Sequence, residues 1–294
     1  MFTLAHISDV HLSPLPDPSI SQLASKRLFG YINWQRNRKK ALGSDFLTHL
    51  MAHMGAQNPD QILVSGDLVN LALPAEYTNA RRFLHTLGKP EDVFALCGNH
   101  DAYVKGGIEN AIASWGEYLT GDTHQISNTD EYPQLRVRGD IALIGCNSAE
   151  PTLPLMATGY FREPQALKLA SILEQTKDKT RIVAIHHPPI EGATRNFKRL
   201  IGCELFQSVI KSHGCDLILH GHTHLATRYF LDGPEKPIPV ICVPAAGNAP
   251  GGKRPCGRYN LFKIECSNAG ALITQQEWGW DGPSQIELLS ETAL

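Results

Sequence analysis

Several features are missing from this 294-residue chain, and each absence narrows the reading. No run of about 18 apolar residues occurs, so no transmembrane helix is expected. The N-terminus lacks a basic stretch followed by a long apolar one, and Asp9 interrupts the first apolar run, so no secretory leader is expected. The seven cysteines form no C-x-x-C pair and their number is odd, which argues against a disulfide framework. Several lie inside apolar runs, as in Val240-Ile241-Cys242-Val243, and read as buried free thiols of a reducing, cytoplasmic compartment. Charge of one sign is also lacking. A formal net charge of -2 provides no global field toward nucleic acid, which counts against a nucleic-acid partner. There is no internal repeat, low-complexity segment or convincing linker, so residues 1–294 are read as a single domain.

What is present is a series of short apolar runs: Phe2–Ile7, Gln61–Val64, Val93–Cys97, Arg181–Ile185 and Leu217–Leu219. Gly, Pro or polar residues stop each one, as expected of buried strands. Helical patterns over residues 44–56, 75–87, 164–175 and 200–213 alternate with them, which points to an α/β fold. Leu135–Val137 and Ile141–Cys146 read as a hairpin. Ile238–Val243, Tyr259–Ile264 and Ala271–Gln276 read as further strands.

The polar residues fall at the ends of the five runs: Ser8-Asp9-Val10-His11, Gly66-Asp67, Gly98-Asn99-His100-Asp101, His186-His187 and Gly221-His222-Thr223-His224. Ligand sites of open α/β sheets lie at carboxyl ends of strands, so these ends can converge. The place of convergence would hold Asp9, His11, Asp67, Asn99, His100, His186, His222 and His224. Carboxylates with imidazoles, and no thiolate, suit divalent Mn, Fe or Zn. The donors suffice for two ions, which about 3.5–4 Å apart lower the pKa of a bridging water and neutralise phosphoryl charge. One Asp-x-His alone reads as a turn pair. All five motifs in this order read as a site.

These motifs resemble the calcineurin-like metallophosphoesterases, whose pattern is D-x-H, G-D, G-N-H-[DE], H and G-H-x-H. The likeness spans residues 9 to 224. It implies a four-layer α/β/β/α sandwich of two facing mixed sheets. It also implies that Asp9, His11 and His224 hold one metal, Asn99, His186 and His222 the other, and Asp67 bridges them. His100 resembles the residue that contacts the phosphate and assists the leaving group, with Asp101 expected to orient it. His187 is read as structural.

Departures narrow the branch. The Arg of the Gly-Asp-x-Val-Asp-Arg-Gly pattern of the protein phosphatases is absent after Asp67, and Asn70 replaces the iron-binding Tyr of purple acid phosphatases. The remaining likeness is to the bacterial phosphodiesterase branch. The implied activity is hydrolysis of a small phosphate ester, most often a diester, by a metal-bridging hydroxide. The alternatives are a phosphomonoesterase, a pyrophosphatase acting on a nucleotide-linked lipid, and a non-catalytic scaffold.

Residues 26–40 are basic and aromatic. The expectation is a helix with its apolar face on the core and its basic face in water; the alternative is peripheral contact with anionic lipid. Gly251-Gly252-Lys253-Arg254-Pro255 is read as a solvated turn, with a basic loop bordering the site as the alternative, and His49 with His53 as a surface pair on one helix.

Overall fold

Strands that are apolar on both faces must be covered on both faces, and this chain does so with two sheets packed against each other and helices outside. In chain order the elements of this computed structural model are β1 (Phe2–Ile7), α1 (Ile20–Leu23), α2 (Arg27–Asn33), a π-helical stretch (Trp34–Arg38), α3 (Ser44–Ala56), β2 (Gln61–Val64), α4 (Pro74–Leu87), β3 (Val93–Ala95) and α5 (Gly107–Leu119). There follow β4 (Gln134–Arg138), β5 (Ile141–Gly145), β6 (Gly159–Tyr160), α6 (Glu163–Gln175), β7 (Thr180–Ala184), β8 (Leu200–Ile201), α7 (Cys203–His213) and β9 (Leu217–His220). The chain ends with β10 (Thr227–Leu231), β11 (Ile238–Cys242), β12 (Arg258–Ser267), β13 (Gly270–Trp280) and β14 (Ile286–Ala293). The structure describes residues 1–294 except 39–41, 43, 253, 268–269 and 281–284.

One sheet has the order β14-β13-β12-β1-β2-β3 and the other β10-β11-β9-β7-β5-β4. Both are mixed. β1, β2 and β3 run parallel, while β12 joins β1 antiparallel. β11, β9, β7 and β5 run parallel, with antiparallel β10 and β4 at the edges. Their inner faces form one apolar cluster that includes Leu4, Leu63, Phe94, Leu143, Ile182 and Leu219. The expected α/β architecture of two facing mixed sheets is thus observed.

The five apolar runs are β1, β2, β3, β7 and β9, within a residue or two. The hairpin is β4–β5, paired from Gln134↔Gly145 to Arg138↔Ile141. Among the longer elements, α5, β10 and β14 carry no expectation from the sequence, and β8 takes the first two residues of the expected 200–213 helix. α5 contains Gly107 and Gly116 and breaks helical geometry at Trp115 (φ -135°, ψ 30°), so its pattern is interrupted. β10 and β14 are largely exposed strands whose place depends on a partner strand rather than on apolar content.

No helix among the described residues is long and apolar enough to cross a membrane. Cys97, Cys146, Cys215 and Cys242 are buried free thiols, as expected, whereas Cys266 is exposed.

Candidate metal centre

The motif loops leave the carboxyl ends of β1, β2 and β3 in one sheet and of β7 and β9 in the other. The backbone joins them: Asp9 N–H donates to Gly66 O (2.9 Å), His11 N–H to Asp67 O (3.0 Å) and Gly221 N–H to His186 O (3.1 Å). Close approach is enforced by missing side chains. A Cβ on Gly221 would lie 1.8 Å from Ser8 Oγ, and one on Gly98 would lie 2.2 Å from Asp67 Oδ1.

Eight non-glycine residues have positive φ among the described residues, and five of them are Asp9, His11, Asp67, His222 and His224. Each costs about 1–2 kcal/mol in the left-handed region. Such strain collects where function sets side-chain direction.

Asp9 Oδ1 faces His224 Nε2 at 3.0 Å and His11 Nε2 at 3.8 Å. Asp67 Oδ2 lies between the two sheets' imidazoles, 3.7 Å from His11 Nε2 and 3.5 Å from His186 Nε2. Asp9–His11–His224 and Asp9–Asp67–His186 each have ligand atoms within 4.8 Å of one another. The first is the set expected for one metal. His222 stands outside these compact groups, its ring 5.3 Å from that of His186. His100, expected not to be a ligand, forms a third compact group with His11 and Asp67.

Second partners set the tautomers. His11 Nδ1 donates to Val69 O (3.1 Å), His186 Nδ1 to Ser65 O (2.7 Å) and His222 Nε2 to Lys198 O (3.0 Å). In the neutral ring the opposite nitrogen then carries the lone pair, as a metal ligand requires. The residues fit two cations on a further count. Asn99 Oδ1 and His186 Nε2 are buried without a hydrogen bond, and Asp9 Oδ1 meets only the imidazole nitrogens of His224 and His11. Buried polar atoms left unsatisfied are costly, and a bound cation would satisfy the acceptors together.

The electrostatics agree. Burial would raise the pKa of Asp67, but His186, His100 and His11 hold it well below the carboxylate range. Burial would lower that of His186, but Asp67 carries it up to about 9. Negative charge is therefore concentrated between the imidazoles. His224 differs from the other ligands. Arg254 Nη1 donates to its Nδ1 (2.8 Å), which leaves the ring proton on Nε2. The loop at 251–255 thus reaches the site through Arg254 rather than forming only a solvated turn; Lys253 lies outside the described residues.

Asp101 corrects an expectation. Its Oδ2 accepts from the N–H groups of Asp67 and Gly98 (2.8 Å each), and its Oδ1 from those of Leu68 (3.0 Å) and Val69 (3.1 Å). The carboxylate therefore binds the bridging-Asp loop to the Asn99 loop. Burial and the Asp67 charge push its pKa up to about 7, opposed by these N–H donors. His100 is oriented otherwise: Nδ1 donates to Asn70 O (2.5 Å), and Tyr103 stacks on the ring at 5.6 Å and 10°. A carbonyl partner has no residue signature, so the sequence could not reveal it; Tyr103, three residues on, was the available signal.

His187 is structural, as read. Nδ1 meets Ser148 Oγ (2.8 Å), Nε2 donates to Ala157 O (3.2 Å), and burial lowers its pKa to about 3. Of the helical pair, His53 turns inward, its Nδ1 2.8 Å from the Tyr259 hydroxyl.

In residues 26–36 the expected orientation is met by Trp34 and Arg36 and reversed at Arg27, Leu28, Phe29 and Ile32; Lys39 and Lys40 lie outside the described residues. Arg27 points inward and donates to Leu71 O (3.0 Å) and Ala72 O (2.7 Å). Lys26 Nζ donates to Thr152 Oγ1 (2.8 Å) and lies 4.4 Å from the centre of the Tyr103 ring. Burial lowers its pKa to about 8. Trp34 is buried, while Leu28, Phe29 and Ile32 are exposed. The carbonyls of the 71–72 turn take the Arg27 guanidinium, which leaves the neighbouring apolar side chains facing out. The result is one wall of a cleft of about 220 Å³ that opens on Asn99 and His100.

The chain resembles the glycerophosphodiester phosphodiesterase GpdQ of Enterobacter lignolyticus (strain SCF1), with 28% identity over 233 residues, 76% of this chain and 71% of that protein. Among solved structures it resembles a dimetal phosphatase from Danio rerio (TM-score 0.65, 13% identity, 99% of this chain and 98% of that one). It also resembles a purple acid phosphatase from yellow lupin seeds (TM-score 0.60, 11% identity, 99% of this chain and 53% of that one). These structural likenesses establish the fold. The sequence profile of the calcineurin-like phosphoesterases matches residues 2–226, and the chain that carries this site belongs to that family.

Proposed function

We propose that the chain hydrolyses a phosphodiester with the help of two divalent cations, one held by Asp9, His11 and His224, the other by Asn99, His186 and His222, with Asp67 between them. The grouping of Asp9, Asp67 and His186, together with buried Asn99 Oδ1 and His186 Nε2 that have no hydrogen bond, supports the metal reading. Bound there, the cations would supply Lewis acidity to a phosphoryl oxygen and acidify a water. The chain's own groups do the rest. The backbone carbonyls of Val69, Ser65 and Lys198 hold the imidazoles in register. Asp101 keeps the two ligand loops together. His100, held through Nδ1 by Asn70 O, presents Nε2, which in the imidazolium form donates a proton to the departing oxygen.

The preference for a diester rests on the cleft beside His100. Phe29, Trp34, Leu71 and Leu155 line it, and it gives room to a second ester group that a monoester lacks. The likeness to a glycerophosphodiester phosphodiesterase points the same way.

The test is hydrolysis of bis-p-nitrophenyl phosphate and p-nitrophenyl phosphate, after chelation and again with Mn restored. Metal-restored activity at least ~10-fold higher on the diester is expected, since about 1.4 kcal/mol of added contact gives that factor. A preference for the monoester would move the assignment to a phosphatase. Activity indifferent to chelation would remove the metals from the reaction.

A further inference from the structure

Fourteen large apolar side chains are exposed among the described residues. Six of them come from three short segments: Leu28, Phe29 and Ile32 on α2, Leu153 and Leu155 on the loop between β5 and β6, and Phe197 before β8. The segments are joined. Lys26 Nζ donates to Thr152 Oγ1, and Ala157 N–H donates to Phe197 O (2.8 Å). Phe29 and Leu155 line the cleft that leads to His100. A grouped apolar surface at a site mouth is rare on proteins that meet only water.

Leu155 sharpens the point. It is 79% exposed and has φ 66°, so neither packing nor backbone ease accounts for a leucine there. Among the described residues the charge lining the cleft has one sign. Lys26 and Lys198 line it and no Asp or Glu does, and Arg36 is exposed in the π-helical stretch that follows α2.

Accepting the phosphoesterase reading of the metal centre, we infer that the substrate is an acylated phosphodiester taken from an anionic lipid surface. Its phosphate reaches Asn99 and His100, its acyl chain lies along Phe29 and Leu155, and Leu28, Ile32 and Leu153 touch the lipid. Lysine at the rim beside apolar side chains matches an interface with anionic headgroups above and acyl chains below. A small water-soluble diester would need the lysines but would leave the apolar patch without a partner.

The experiment uses the full chain loaded with Mn and a matched pair of substrates, glycerophosphoglycerol and its singly acylated form, lysophosphatidylglycerol. Co-sedimentation with vesicles of equal parts phosphatidylglycerol and phosphatidylcholine, and with phosphatidylcholine alone, is measured beside it. The expected result is kcat/KM at least ~10-fold higher for the acylated diester, and retention only on the anionic vesicles. In the Phe29→Ser, Leu155→Ser double variant the kcat/KM ratio should fall toward one. In Leu28→Ser, Ile32→Ser the vesicle retention should fall. Both pairs are solvent-facing, so folding should survive.

Hydrolysis of both diesters with no acyl preference overturns the inference and leaves the phosphodiesterase reading standing. Vesicle retention without acyl preference also overturns it, because the cleft would then serve adhesion alone. Absence of metal-dependent hydrolysis of any diester overturns both readings.

Discussion

Replacing Asp101 by Asn separates two roles that the sequence alone would have merged. The wild-type carboxylate accepts four backbone N–H bonds, two on each oxygen, from Gly98, Asp67, Leu68 and Val69. Asparagine keeps one oxygen and turns an NH2 group toward two of those donors. Two bonds are lost and two buried N–H groups face another donor. At about 1.5–3 kcal/mol for each bond to a charged group, the variant should lose about 3–6 kcal/mol. For a chain of this size that lowers Tm by roughly 5–10 °C. Because in either amide orientation the loop that carries Asp67 loses a bond, from Asp67 N–H itself or from Leu68 and Val69, the Asp67 carboxylate should also shift and metal content should fall. The assay is urea or thermal unfolding at about pH 8, above the Asp101 pKa of about 7, with metal content and kcat measured on the same samples. A variant that kept its stability and both metals, while the pH–rate limb of His100 moved, would refute this reasoning and restore Asp101 as the partner of His100.

His100→Ala should leave metal content intact and lower kcat by about 10²–10⁴-fold, most with poor leaving groups; equal loss on all leaving groups would remove it from proton donation. Acid sensitivity follows from His6, His187 and His220, which burial holds neutral, with pKa values near 3, 3 and 4. The unfolded chain takes up protons on these residues below about pH 6.5 while the folded chain does not, so stability is full above that and is lost as pH falls. The slope is about 1.4 kcal/mol per pH unit for each group, and a flat unfolding midpoint between about pH 7.5 and about pH 5 would contradict the burial.

Much of the site was legible because its chemistry needs particular side chains at particular strand ends. Asp9, His11, Asp67, Asn99, His186, His222 and His224 all lie at or just beyond the carboxyl ends of β1, β2, β3, β7 and β9. Their order along the chain, each after an apolar run, is a local property that the sequence displays. Strand–helix alternation is equally local, since it depends on the spacing of apolar residues.

What the sequence could not decide is what depends on backbone atoms and on distant segments meeting. The carbonyls of Ser65, Val69, Asn70 and Lys198 orient four imidazoles, and every residue type has a carbonyl. Asp101 looked like a partner for its neighbour His100, but folding brought the β2 loop within reach of its oxygens first. Residues 26–38 have helical composition with basic and apolar faces, and composition does not say which face turns inward. The carbonyls of Leu71 and Ala72 settle that by taking Arg27, which leaves Leu28, Phe29 and Ile32 at the surface beside the metal centre. Side-chain identity determined the candidate ligands and the layers; tertiary contacts between segments far apart in sequence decided the orientation of each candidate site residue and the shape of the cleft beside it.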